Sequence, residues 1–123
     1  MKLETLIYDA IKKVIPQESL KTAVYANVTD TSYEIFFYCL FPQNGYRQCY
    51  DLAEADVLDA HLLDMTFEEI AKVIKTDKAY ESERNNLFTF IIDASGVKMT
   101  VEHFAKDTRM YRIKKEWTEK NLH

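Results

Sequence analysis

The chain has 123 residues, of which 47% are apolar and 29% charged, and its formal net charge is −4. A domain of this length can bury a hydrophobic core without disulfide or metal crosslinks. Gly45 and Gly96 are the only glycines, which excludes a Walker A loop and a GxGxxG dinucleotide-binding turn, and the 13% aromatic content excludes a disordered linker. The acidic balance argues against a nucleic-acid-binding protein and favours a basic protein partner.

The chain opens with an amphipathic pattern. Apolar residues recur at helical spacing from Leu3 to Ile15, which predicts a helix that ends at Pro16. Two segments rich in β-branched and aromatic residues, 22–29 and 33–41, then predict strands joined by a turn at 29–32.

The second strand is apolar on both faces, which predicts a central strand covered by helix. Its end carries Asn44-Gly45, a strong hairpin signal, so a third and shorter strand is expected at 46–50.

From Asp51 the apolar period becomes helical, and helices are predicted near 52–62 and 66–80. Asp51 has the position of an N-cap for the first helix. The segment Thr66-Phe67-Glu68-Glu69 has the form of a capping box for the second, with Met65 and Ile70 placed as a hydrophobic staple.

Alternating segments at 86–93 and 97–103 predict a second hairpin around Gly96. Met110, Ile113 and Trp117 then predict a short amphipathic helix docked by the indole. The predicted order is α-β-β-β-α-α-β-β-α, which indicates an α+β fold with an antiparallel sheet of about five strands packed against helices. Residues 1–123 are expected to form one domain.

Cys39 and Cys49 form no CxxC motif, which argues against a zinc ribbon or a thioredoxin-like site. Two buried, reduced thiols in a cytoplasmic protein are the favoured interpretation, although one disulfide is arithmetically possible. The N-terminus has no uncharged segment of the kind that a signal peptide needs, and no apolar run approaches the length of a membrane span.

The clearest charge feature lies between positions 51 and 69, which hold seven acids and no lysine or arginine. Because the whole chain has a net charge of −4, the rest of it sums to +3. Such a surface could cover a cationic cleft on another protein, but acids also accumulate at helix N-termini for local reasons. The acids are Asp51, Glu54, Asp56, Asp59, Asp64, Glu68 and Glu69.

Catalytic and metal sites are weakly indicated. The spacing Asp51-x2-Glu54-x-Asp56 offers oxygen ligands but lacks the EF-hand pattern and its glycine. His61, His103 and His123 form no HxxxH or HExxH pair, and no serine has the glycines of a nucleophile elbow. We therefore expect no catalytic residue, no metal and no cofactor, and keep a small hydrolase using His103 and Glu102 as the alternative.

Eight tyrosines include two near the acidic segment, Tyr46 and Tyr50, which are candidate contact anchors because tyrosine is enriched at interface hot spots. Tyr25, Phe36, Phe37 and Tyr38 are instead expected to fill the core. The lysines and arginines between Lys106 and Lys120 are expected to form a solvated helix face.

Four segments in order are similar to the YezG-like immunity proteins. They are LIYDAIKKVIPQE, VYANVTDTSYEIFFYC, LFTFIIDASGVKMTVEHF and the terminal Tyr111…Trp117…Leu122 pattern. The resemblance spans nearly the whole chain.

The resemblance implies an antitoxin that binds and neutralises a nuclease toxin delivered between competing bacteria, with no catalytic residues of its own. On this hypothesis the toxin-binding residues are Tyr46, Tyr50 and the seven acids, and the partner is the nuclease domain in a one-to-one complex. No direct nucleic-acid, membrane or small-molecule partner is expected. A generic protein-interaction module is the other alternative.

Overall fold

The computed structural model describes residues 2–123. It has the predicted α+β class and the predicted element order. The helices are α1 (Leu3–Ile11), α2 (Cys49–Glu54), α3 (Ala60–Lys75) and α4 (Met110–Asn121). The strands are β1 (Lys21–Val28), β2 (Tyr33–Phe41), β3 (Gly45–Gln48), β4 (Arg84–Asp93) and β5 (Gly96–Ala105).

The five strands form one antiparallel sheet in the order β3-β2-β1-β4-β5. The central strand is β1, not β2 as the sequence suggested, and seven of its eight residues are buried. Strand β1 pairs with β2 on one side and with β4 on the other, so it joins the β1–β2–β3 part of the sheet to the β4–β5 hairpin. Gly45 and Gly96 both have positive φ in the two tight turns, which a side chain would disfavour.

The two faces of the sheet carry different side chains. One face presents Val24, Phe37 and Phe90 to α1, α2 and α3, and Phe37 meets Phe67 of α3 edge to face at 6.0 Å between ring centroids. The other face presents Tyr25 and neighbouring rings to α4.

On the α4 face, Trp117 lies among three aromatic rings. It meets Tyr25 at 5.5 Å and Phe36 at 5.7 Å edge to face, and Tyr38 at 6.3 Å in a tilted arrangement. Its indole Nε1 donates to Thr89 Oγ1 at 3.0 Å. The predictions that Trp117 docks the last helix and that these rings fill the core are confirmed.

Several boundaries were predicted wrongly. The first helix ends at Ile11, with Lys12 as its C-cap, and does not reach Pro16, which keeps the preceding residue Ile15 out of the helical region. Cys49 and Tyr50 begin α2 instead of ending β3.

The predicted capping box at Thr66 is wrong. Asp59 is the N-cap of α3, and its side chain accepts from the Leu62 N–H at 3.0 Å. Thr66 lies about two turns inside the helix, fully buried, and its hydroxyl donates to the Leu62 carbonyl at 2.8 Å. Met65 is 54% exposed, so it forms no staple with Ile70. Asp51 is likewise inside α2 and caps nothing.

Among residues 2–123, no helix is both long enough and apolar enough to cross a membrane.

Candidate protein-binding surface

All seven acids between positions 51 and 69 are exposed. The local fold explains this. Leu52 of α2 and Leu63 of α3 are buried, so both helices turn their polar sides outward. A tight connection joins them, in which Asp56 has a φ of 62° and the Val57 N–H donates to the Leu52 carbonyl at 2.9 Å. We call the set Asp51, Glu54, Asp56, Asp59, Asp64, Glu68 and Glu69 the acidic surface.

Few of these carboxylates are neutralised by the protein itself. Glu68 pairs with Lys72 at 3.4 Å and Glu69 with Lys13 at 3.4 Å, both in exposed positions where such pairs contribute little. Asp59 is engaged as the cap of α3. The other four acids have no ion-pair partner within 4.0 Å anywhere in residues 2–123: Asp51, Glu54, Asp56 and Asp64.

Large apolar side chains are exposed between the acids. Tyr50 is 43% exposed, Val57 50% and Met65 54%. A surface that combines open charge with exposed apolar area is suited to contact with another protein, since the apolar groups gain from burial and the charges select the partner.

The two tyrosine candidates occupy different parts of the molecule. Tyr46 pairs with Leu40 and lies on the α4 face of the sheet, where its hydroxyl accepts from Lys21 Nζ at 3.1 Å and contacts the His123 carbonyl at 3.4 Å. It is half-buried and separated from the acidic surface by the sheet. Tyr50 lies beside the acids as expected.

Tyr50 and its neighbour Cys49 close an open sheet edge. Strand β3 pairs only with the last four residues of β2, so Ile35 and Phe37 pair with β1 on one side but have no strand on the other. The Tyr50 hydroxyl donates to the Ile35 carbonyl at 2.9 Å, and the Phe37 N–H donates to Cys49 Sγ at 3.4 Å. Burial, with nearby anionic groups including Asp64, raises the pKa of Tyr50 to about 12, so its hydroxyl remains a donor at neutral pH.

Sequence reasoning missed Tyr33. It is 40% exposed at the start of β2 and lies next to Tyr50, Asp64 and Glu68 around a cavity of about 330 Å³. A tyrosine at the start of a strand gives no sequence signal that it lines a cavity, because the residues around Tyr33 come from α2 and α3, which are distant in sequence.

The groups considered for catalysis are separated or occupied. His103 and Glu102 are consecutive strand residues on opposite faces of β5. His103 Nε2 contacts the Ala79 carbonyl at 2.8 Å and Nδ1 lies 3.4 Å from Glu81, whereas Glu102 pairs with Lys120 of α4 at 3.6 Å. The structure therefore does not bring the proposed pair together.

The remaining candidates also lack a reactive arrangement. Cys39 and Cys49 are both free and buried, and burial raises the pKa of both thiols, that of Cys49 to about 12. His61 is exposed. In the described part of the chain, no three His, Cys, Asp or Glu side chains come close enough to hold a metal ion.

The basic residues of α4 are largely engaged within the protein. Lys114 reaches Glu34 of β2 at 3.2 Å, and Arg112 pairs with Glu116 one helical turn away at 3.3 Å. A cavity of about 590 Å³ lies between this helix and the β1–β2 turn and is lined by Asn27, Glu34 and Lys114 among others. It lies on the side of the sheet away from α2 and contains none of the acidic surface.

No protein-family model matches this chain, and no curated protein sequence is similar enough to count as a match.

Proposed function

We propose that this chain is a cytoplasmic immunity protein, which binds one cognate nuclease toxin and occludes its basic surface. The observation that carries the proposal is the acidic surface, with four unpaired carboxylates beside exposed Tyr50, Val57 and Met65. The ordered resemblance to YezG-like immunity proteins supplies the class of partner.

The mechanism is binding alone. A nuclease active-site cleft is positively charged because it holds phosphates, so an acidic surface attracts it over several ångströms before contact. Contact then buries the apolar side chains, and the bound protein excludes nucleic acid sterically. No reaction is required of the chain.

The experiment measures association of the chain with the nuclease domain encoded directly upstream of it, since immunity genes normally follow their toxin genes. Glu54→Lys is the informative variant, because Glu54 is exposed in the last turn of α2, where a lysine suits the helix dipole. Asp59 and Asp56 are poor choices, since one caps α3 and the other has positive φ.

The matched control is Glu119→Lys, the same charge change on α4 at an exposed acid outside any ion pair of the described chain. We expect Glu54→Lys to slow association roughly tenfold at low salt, with the difference shrinking as salt rises. Equal effects of the two variants would contradict the surface assignment. Failure of the two wild-type proteins to associate, or turnover of a small substrate by the isolated chain, would contradict the function itself.

A further inference from the structure

A small pocket lies at the edge of the acidic surface, where β2, α2 and α3 meet. Tyr33 and Tyr50 form its aromatic walls, and Ile35 and Phe67 line its apolar part. Asp64 and Glu68 stand one helical turn apart on α3 and face the same opening, and the volume of about 330 Å³ accommodates one long side chain. We call it the tyrosine pocket.

The wall formed by Tyr50 is held from two directions. Its hydroxyl donates to the Ile35 carbonyl at 2.9 Å, and its ring meets Phe67 edge to face at 6.1 Å. A side chain that is already ordered loses little further conformational entropy when a partner binds. The pocket is therefore formed before any partner arrives.

Hydrogen-bond acceptors outnumber donors around this pocket. Asp64 has no ion-pair partner in residues 2–123, and Glu68 has only the exposed contact to Lys72 at 3.4 Å. Glu34, between Tyr33 and Ile35 in β2, turns its side chain to the other face of the sheet, where it accepts from Lys114 of α4 at 3.2 Å, so Asp64 and Glu68 supply the carboxylates of the pocket. Two neighbouring carboxylates with so little neutralisation by the protein itself favour an incoming cationic donor.

We propose that the tyrosine pocket receives an arginine side chain of the partner protein. Carboxylates with aromatic walls form a cation site, in which the ring faces attract the charge and the oxygens accept its hydrogen bonds. Arginine fits better than lysine, because its planar guanidinium stacks on tyrosine and supplies five donors to Asp64 and Glu68. The identity of the partner rests on the proposed function, whereas the pocket chemistry does not.

The first test uses a probe and no partner. The peptide acetyl-Gly-Arg-Gly-amide is titrated into the 123-residue protein and followed by the NMR signals of the Tyr33, Tyr50 and Phe67 rings, with the citrulline and lysine peptides as comparisons. Citrulline keeps the shape of arginine but not its charge. We expect saturable shifts with the arginine peptide, weaker binding of lysine and none of citrulline.

Matched variants locate the binding. Asp64→Asn with Glu68→Gln removes the two pocket charges without changing side-chain size. We expect the dissociation constant of the arginine peptide to rise roughly tenfold. Asp107→Asn with Glu119→Gln makes the same charge change at exposed acids outside both the pocket and the acidic surface and should have less than a twofold effect. Tyr33→Leu should weaken binding and Tyr33→Phe should preserve it.

The results separate this inference from the proposed function. If the arginine peptide causes no ring shifts at tens of millimolar, or if both double variants bind it equally, the tyrosine pocket is not an arginine site. Capture of the upstream nuclease would then still support the immunity function. If the peptide binds as expected but no nuclease is inhibited, the pocket stands and the immunity function fails.

Discussion

Three helices cover one face of the sheet, whereas the other is covered by α4. Of the covering helices, α3 has six buried residues, but α4 has only Ile113 and Trp117. The contact of α3 with the sheet is spread over aliphatic and phenyl side chains. The contact of α4 depends on the Trp117 indole, which makes one hydrogen bond, to Thr89. Packing on the α3 side is therefore shared among many residues, and on the α4 side it is concentrated in one.

The charges follow the same division. Lys114 and Lys120 of α4 pair with Glu34 and Glu102 of the sheet, although these partly exposed contacts add little to the packing of Trp117. In the acidic surface, Asp59 caps α3, Glu69 pairs with Lys13 and Glu68 pairs with Lys72, and the other four carboxylates have no such contact in the described residues. Most of the acidic surface is thus free to meet a partner, whereas Lys114 and Lys120 of α4 are paired with acids of the sheet.

The largest effect is expected from Trp117→Ala. It removes the indole from among Tyr25, Phe36 and Tyr38, and we expect the free energy of unfolding to fall by about 3–5 kcal/mol. Because Ile113 alone would remain buried on α4, the helix should also detach from the sheet. Urea unfolding followed by circular dichroism measures the first effect, and amide hydrogen exchange of residues 110–121 measures the second.

The matched variant is Ile70→Ala on α3, where a fully buried side chain is also removed. It should cost about 2–5 kcal/mol, but α3 should keep its amide protection relative to the rest of the protein, because its other buried residues remain. If both variants released their own helix to the same extent, the contrast between the two faces would be wrong.

A smaller effect is expected from Asp59→Ala, which removes the cap of α3. The lost bond to the Leu62 N–H should lower the free energy of unfolding by about 1 kcal/mol, with α3 still attached. Asp59→Asn keeps the capping oxygen and should be nearly neutral. Thermal unfolding of both variants tests this, and a loss of equal size in the two would show that the charge of Asp59 matters more than its cap.

The segment from β2 to α3 shows where prediction from sequence succeeded and where it failed. Strand β2 was predicted at its observed bounds, because its aromatic and β-branched residues lie between two sets of turn residues. The two helices after it were misplaced, since Asp59 and Thr66 both have cap chemistry and the local pattern does not choose between them. Burial of apolar side chains decides which residue caps the helix. When α3 is capped by Asp59, Leu63, Phe67 and Ile70 lie on one buried face and Thr66 falls inside the helix.

The candidate surface was partly predictable for a related reason. The exposure of the acids follows from helix periodicity, so all seven were placed correctly on the outside. Tyr33 could not be found, because its place beside Tyr50 depends on the shortness of β3, which leaves the edge of β2 to α2. Tyr46 was grouped with Tyr50 by sequence distance, but the start of α2 at Cys49 places them on opposite sides of the sheet.

The smallest effect is expected at Asp30, which lies in the turn between β1 and β2 and ties that turn to the loop before β4. Its carboxylate accepts hydrogen bonds from the Tyr80 hydroxyl, the Glu83 N–H and the Ser82 hydroxyl, and these hold its pKa at about 2, below the ordinary 3.8. A depressed carboxyl pKa means that the folded state favours the charged form. This stabilisation is complete above about pH 4, near the pKa of the unfolded chain, and is lost as the pH falls towards 2.

Asp30→Asn should therefore lower stability slightly at pH 7, and the difference from the wild type should shrink between pH 4 and pH 2. Urea unfolding at a series of pH values measures it, with Asp107→Asn as the control, since that exposed acid has no side-chain partner in the described chain. At neutral pH the amides of residues 77–83 should also exchange faster in Asp30→Asn, because the loop loses its anchor to the turn. A difference that stays constant down to pH 2 would mean that the hydrogen bonds of Asp30 contribute through their geometry and not through the charge of the carboxylate.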